Sequence, residues 1–137
     1  MSLFLSQEWI SAAKLDLVNI KYIINDELLS PIVAFHSQQA IEKALKALLT
    51  SKKINFKKIH SLEKLLMLCK DYLSIDNYDV IDLLDTLYID SRYPGSFGLL
   101  PNGKPTLEDA KEFYEFALDI FDRVCKLLEI DPEEVKK

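Results

Sequence analysis

The helix around Ala34 to Leu49 constrains the fold more than any other part of the chain. At about 100° per residue, its apolar side chains fall on one broad arc. That arc consists of Val33, Ala34, Ala40, Ile41, Ala44, Leu45, Ala47, Leu48 and Leu49. An apolar face of this width is typical of a helix packed in the core of a domain.

Polar side chains lie on a narrow stripe at the edge of this arc. The stripe carries His36, Gln39, Lys43 and Thr50, at spacings that keep them on one side of the helix. At such a half-buried edge an imidazole, an amide and an ammonium can face a cleft together. Two alternatives stay open: His36 as a hydrogen-bonding structural residue, and Gln39 and Lys43 on a solvated face.

Four further stretches have helical periodicity, and short connections join most of them. The predicted helices run from Gln7 to Asp26 with Ser6 as cap, from Ser30-Pro31 to Ser51, from His60 or Ser61 to Tyr72, from Asn77 to Asp90 with Asp76 as cap, and from Thr106 to Leu128 with a Thr-Leu-Glu-Asp capping box. Short links between long amphipathic helices favour antiparallel neighbours. We therefore predict an all-α, antiparallel up-and-down bundle of five main helices.

The length and the amino-acid composition of the chain agree with one helical domain. A chain of 137 residues with only three glycines and five prolines suits a helical core better than a turn-rich β protein. We assign residues 1–130 to the bundle and residues 131–137 to a short charged tail. Cys69 and Cys125 are far apart and lack metal-site spacing, which predicts two buried free thiols in a reducing compartment.

Charge is distributed unevenly along the chain. The net charge is −5, yet the segment from His36 to Lys64 holds seven lysines and only two glutamates. Overall acidity argues against a dedicated duplex-DNA binder. A local basic patch still suits a nucleotide, a short single strand or an acidic partner.

The sequence has no feature that predicts export or membrane insertion. Its first residues are too short an apolar run for a signal peptide, and no run approaches the length that spans a bilayer. We expect a cytoplasmic protein that does not associate with membranes.

A long segment precedes the last helix and contains all three glycines. We predict that this segment, Ser91 to Pro105, is a loop. Near its start, Arg92 and Tyr93 offer a planar cation for phosphate and a ring for stacking. Loops of this length in compact domains are often functional. The alternative is a cation that interacts with the C-terminal end of the preceding helix, beside a packed tyrosine.

Several motifs together resemble the HEPN domain family (higher eukaryotes and prokaryotes nucleotide-binding domain). They are His-Ser-Gln-Gln-Ala-Ile-Glu-Lys-Ala-Leu-Lys-Ala-Leu-Leu from His36, Lys-Ile-His-Ser-Leu from Lys58, Ser-Arg-Tyr-Pro from Ser91, Ala-Lys-Leu-Asp-Leu from Ala13 and Thr-Leu-Glu-Asp-Ala from Thr106. The resemblance implies a helical bundle, commonly a homodimer, that binds nucleotide or RNA. It also implies pairing with a small nucleotidyltransferase protein.

The chain departs from the family in one respect. Many HEPN proteins are metal-independent ribonucleases that use an arginine followed a few residues later by a histidine. Here both histidines, His36 and His60, precede both arginines, Arg92 and Arg123. The usual general base and phosphate-binding pair is therefore missing.

Asp16 is predicted to support the site. It falls on the apolar face of the first helix, where a carboxylate requires a partner. Lys43, Arg92 or His36 would supply an ion pair or a hydrogen bond. The two histidines are isolated and no cysteine lies near them, so no metal site is predicted. His60 is predicted to cap the third helix.

These observations predict a non-catalytic nucleotide- or RNA-binding module that acts with a nucleotidyltransferase in a toxin–antitoxin-like system. The predicted ligand-binding residues are His36, Gln39, Lys43, Arg92 and Tyr93, and no cofactor is expected. Two other classes compete with this interpretation. One is a divergent ribonuclease in which His36 replaces the missing histidine; the other is a structural dimerisation module.

Overall fold

The predicted all-α bundle of five main helices is confirmed by a computed structural model, which describes residues 2–90 and 105–135. Within those ranges the α-helices are α1 (Ser2–Ile23), α2 (Ser30–Ser51), α3 (Leu62–Leu68), α4 (Tyr78–Asp90) and α5 (Leu107–Leu127), and no residue is in a strand. Single 3-10 turns occupy Glu27–Leu29 and Pro132–Glu134. None of the helices in the described ranges is long and apolar enough to cross a membrane.

Helix α2 lies at the centre of the bundle. It packs against each of the other four helices, and its apolar arc from Val33 to Leu49 is fully buried. Helix α1 runs antiparallel to it: the Ser6 hydroxyl near the start of α1 donates to the Ala47 carbonyl, 3.0 Å away near the end of α2. The edge of α2 that carries the predicted stripe therefore lies along α1.

The prediction that Ser6 caps the first helix is wrong. Helix α1 already begins at Ser2, and Ser6 is a buried residue inside it. The helix continues through Leu3, Phe4 and Leu5 toward the N-terminus, so Ser6 is not at its end. Its hydroxyl serves helix packing instead, through the bond to Ala47.

The starts of α2 and α5 agree more closely with what the sequence predicts. Helix α2 carries Pro31 in its first turn, as predicted, although Leu29 rather than Ser30 is the capping residue. In α5, Thr106 accepts from the Asp109 backbone N–H, and the Asp109 carboxylate accepts from the Thr106 N–H. These two bonds confirm the predicted capping box.

Helix α3 is shorter than predicted, and its cap is Ser61. The Ser61 hydroxyl accepts from the Lys64 N–H, whereas the His60 side chain points to Glu42 on α2. The role predicted for His60 as a cap is therefore wrong. The helix ends at Leu68 instead of Tyr72, because the chain turns at Cys69.

Helix α4 is preceded by Asn77 rather than by the predicted Asp76 as its capping residue. The Asn77 side-chain oxygen accepts from the Val80 N–H at 3.4 Å. Farther along α4, the carboxylate of Asp85 accepts from the backbone N–H groups of Leu62 (2.8 Å) and Glu63 (3.1 Å) and from the Ser61 hydroxyl (3.2 Å). One side chain of α4 thus satisfies two of the free backbone N–H groups at the start of α3.

The segment after α5 folds back onto the bundle. Ile130 and Val135 pack against the core, and the Lys14 ammonium donates to the Pro132 carbonyl at 3.2 Å. Part of the stretch predicted as a charged tail therefore contributes apolar contacts to the domain.

Both thiols are buried, and we expect them to be unreactive in the folded protein. Burial raises the pKa of Cys69 and of Cys125 to about 12, from an ordinary value near 9. At neutral pH the reactive thiolate is thereby reduced on the order of a thousandfold. Labelling with iodoacetamide at pH 8, followed by mass spectrometry, should detect no modification until urea unfolds the chain. Rapid labelling of the native protein would contradict this burial.

A second prediction concerns the carboxylate that holds α3. Replacing Asp85 with Ala leaves two backbone N–H groups and the Ser61 hydroxyl without this acceptor. We expect the free energy of unfolding to fall by about 1–3 kcal/mol. Urea denaturation measures this change, and Asp82→Ala, at an exposed position of the same helix, is the matched control. Equal stability of the two variants would contradict the capping role.

Candidate functional site

A buried carboxylate joins two members of the predicted site. Asp16 on α1 faces α2, where its Oδ1 lies 2.8 Å from His36 Nδ1 and its Oδ2 accepts from the Lys43 ammonium at 2.8 Å. We call these three residues the Asp16 cluster. The structure therefore supplies two of the partners that the sequence predicted for Asp16.

The burial pattern of the Asp16 cluster explains its geometry. The Asp16 side chain is only 9% exposed, and a carboxylate so deeply buried requires partners for both oxygens. His36 and Lys43 are 22% and 26% exposed, so each reaches the surface while one of its polar atoms contacts Asp16. Asp16 thus holds an imidazole and an ammonium side by side near the protein surface.

Both groups retain capacity for a ligand. The contact of His36 Nδ1 with Asp16 leaves Nε2 as the ring nitrogen available to a ligand. The Lys43 ammonium has three N–H donors and gives one to Asp16. The remaining donors suit the oxygens of a phosphate or a carboxylate.

Gln39 belongs to a different network, although it shares the stripe with His36 and Lys43. Its side-chain amide donates to the Gln38 side chain at 2.7 Å, and Gln38 in turn donates to Glu42 at 3.2 Å. The structure therefore directs Gln39 away from the Asp16 cluster.

Sequence reasoning missed a second polar group on α2, the Glu42 cluster of Gln38, Glu42, Lys46 and His60. Glu42 Oε2 lies 2.8 Å from the Lys46 ammonium and 3.3 Å from His60 Nδ1. The Glu42 and Lys46 side chains are 8% and 7% exposed, so this ion pair is almost fully enclosed.

The enclosure of Lys46 is completed by two aromatic rings. Its ammonium lies 5.4 Å from the centre of the Trp9 ring and 5.6 Å from that of Phe56, within the range of cation–π attraction. The two rings meet edge to face with 6.0 Å between their centres. One sequence signal could have found the ion pair: Glu42 precedes Lys46 by four residues, the spacing at which helical side chains meet.

The other two predicted ligand-binding residues, Arg92 and Tyr93, lie outside the described residues. Their proximity to the Asp16 cluster stays a prediction. Within ranges 2–90 and 105–135, no group of three His, Cys, Asp or Glu side chains is arranged to hold a metal ion.

Comparisons with known proteins agree with this architecture. The model of the HEPN domain matches residues 6–129. A crystal structure of an archaeal HEPN homologue is 27% identical, with a TM-score of 0.63 over 90% of this chain and 97% of that one. A comparison with curated proteins gives no significant match. Because the family match spans most of the chain and the solved structure has the same helical fold, this protein belongs to the HEPN domain family.

Proposed function

We propose that this protein is a non-catalytic nucleotide- or RNA-binding module. The observation that carries the proposal is the Asp16 cluster, in which a buried carboxylate holds His36 and Lys43 at the protein surface. Membership in a nucleotide-binding family supports the choice of ligand class. Lys43 would donate to phosphate oxygens, and His36 Nε2 would bond to the ribose or the base.

The same geometry favours binding over cleavage. RNA cleavage by acid–base catalysis requires a base for the 2′-hydroxyl and an acid for the leaving oxygen. The Asp16 cluster offers one imidazole, since His60 belongs to the Glu42 cluster. The arginine-then-histidine pattern of the ribonucleases is absent from the sequence.

Lys43 is the residue whose loss should weaken binding most directly. Lys43→Gln keeps a side-chain N–H donor near Asp16 but has no charge, so we expect the fold to be retained while the charge-assisted phosphate contact is lost. We expect affinity for ATP or a short RNA to fall about tenfold or more, the effect of losing a charge-assisted hydrogen bond. Calorimetric titration measures this change.

Lys111→Gln, an exposed substitution on α5, controls for the general loss of positive charge. Urea denaturation of both variants tests whether the fold is retained. Unchanged affinity of Lys43→Gln, or no binding by the unmodified protein, would overturn the proposal.

A divergent ribonuclease is the second candidate, favoured by the pairing of His36 with Asp16. A carboxylate that orients an imidazole is a common arrangement for a general base. This alternative requires that clean protein cleaves RNA in the presence of EDTA and that His36→Ala abolishes the cleavage. We expect no cleavage above the level of that variant, measured by gel electrophoresis of labelled RNA.

We further propose that the module works as a homodimer and with a nucleotidyltransferase protein in a two-component system. Pairing with nucleotidyltransferases is frequent in this family. The outer face of α1 supports an additional partner, because Leu15 and Tyr22 are 48% and 84% exposed there. A purely structural dimerisation module would instead use the polar stripe of α2 as its interface, without a ligand. Substitutions at the Asp16 cluster would then change dimer dissociation alone, which sedimentation measures.

A further inference from the structure

A second basic surface lies at the C-terminal end of α2. A cavity of about 690 Å³ opens there, lined by Leu5, Thr50, Lys53, Ile54, Asn55, Phe56 and Lys57. These residues include two exposed lysines, two hydrogen-bonding side chains and three apolar ones, and no acidic side chain. The cavity therefore suits a ligand that combines negative charge with an apolar or aromatic part.

The aromatic wall of this cavity is held in place. The Phe56 and Trp9 rings meet edge to face, and Phe56 lies beside the Lys46 ammonium, which is itself fixed by its ion pair with Glu42. Neither the ring nor the loop that carries it can move away without exposing this enclosed pair.

The cavity and the Asp16 cluster both lie on the line of contact between α1 and α2, which we call the α1–α2 groove. On α1, Leu5, Trp9 and Asp16 follow at helical spacings of four and seven residues, which places them on one face. On α2, Thr50 follows Lys43 by seven residues, or about 10 Å along the helix.

Because α1 and α2 pack antiparallel, these two helix faces lie against each other in opposite directions. Asp16 contacts Lys43 at one end of the groove, and Leu5 and Thr50 line the cavity at the other. Trp9, partly exposed, lies between the two basic sites.

We infer that the ligand is a single-stranded nucleic acid that runs along the α1–α2 groove. Its phosphates contact Lys43 at one end and Lys53 and Lys57 at the other, and its bases stack on the Trp9 and Phe56 rings. This inference rests on the proposed function and extends it, because a mononucleotide held at Lys43 leaves the basic cavity empty. Flat aromatic faces between cations are typical of single-strand binding and less suited to an acidic peptide.

The test uses the intrinsic fluorescence of Trp9, the one tryptophan of the chain. The protein is titrated with oligouridylate RNA and separately with uridine monophosphate, over a range of salt concentrations. We expect the RNA to quench Trp9 fluorescence through base stacking. The variant Lys53→Gln/Lys57→Gln should bind the RNA at least tenfold more weakly and bind the mononucleotide unchanged.

The salt dependence gives a second, quantitative readout. Loss of two phosphate contacts should reduce the slope of log affinity against log salt by about 1.4, whereas Lys43→Gln should reduce it by about 0.7. The matched control is Lys111→Gln/Lys126→Gln, which removes the same charge from exposed positions on α5 that do not line the cavity. Its slope and affinity should stay close to those of the unmodified protein.

The outcomes separate this inference from the proposed function. RNA binding that depends on Lys43 but not on Lys53 and Lys57 would overturn the groove and leave the proposed function standing. RNA binding that depends on the cavity lysines alone would overturn both the groove and the role of Lys43. Quenching by polyglutamate but not by oligouridylate would show a site for acidic peptides and overturn the inference.

Discussion

The enclosure of α2 by four other helices is the constraint on which the rest of the structure depends. A helix surrounded in this way has little free surface, so its charged residues must find partners within the protein. Glu42 and Lys46 do so with each other, and Lys43 does so with Asp16. These ion pairs determine which side-chain nitrogen atoms of α2 still face solvent. They therefore determine where the domain can form polar contacts with other molecules.

The helical periodicity of the chain was sufficient to predict the bundle, since each helix buries a continuous apolar face. Capping was predictable only where the residues involved are neighbours in sequence. Thr106 and Asp109 satisfy each other within one turn and were identified correctly. Ser6 and His60 were misassigned because their partners, Ala47 and Glu42, are remote in sequence and become neighbours only when the helices pack.

The candidate site, like the helix caps, could be predicted only in part from the sequence. The need of Asp16 for a partner follows from one helix alone, and the structure supplies both His36 and Lys43. Helical angle placed Gln39 beside them, but a side chain on a stripe can turn toward either neighbour, and Gln39 turns to Gln38. Spacing along one helix therefore predicts which residues share a surface, not which of them act together.

Asp16 also limits how strongly the site can hold an anion. Its charge offsets that of Lys43, so a phosphate bound as proposed would share the ammonium with the Asp16 carboxylate. Such a site is suited to reversible contact with a long ligand that gathers its affinity from several positions.

The buried Lys46 has a consequence for the loop that follows α2. Its contacts hold Phe56 against Trp9 and thereby fix residues 52–60 to α1 and α2, the two longest helices of the described chain. Exposed lysine-rich loops normally lose conformational entropy when a ligand orders them. Here the contacts of Phe56 with Trp9 and Lys46 order much of the loop during folding. The enclosed Lys46 would thereby lower the entropic cost of the binding that we propose at Lys53 and Lys57.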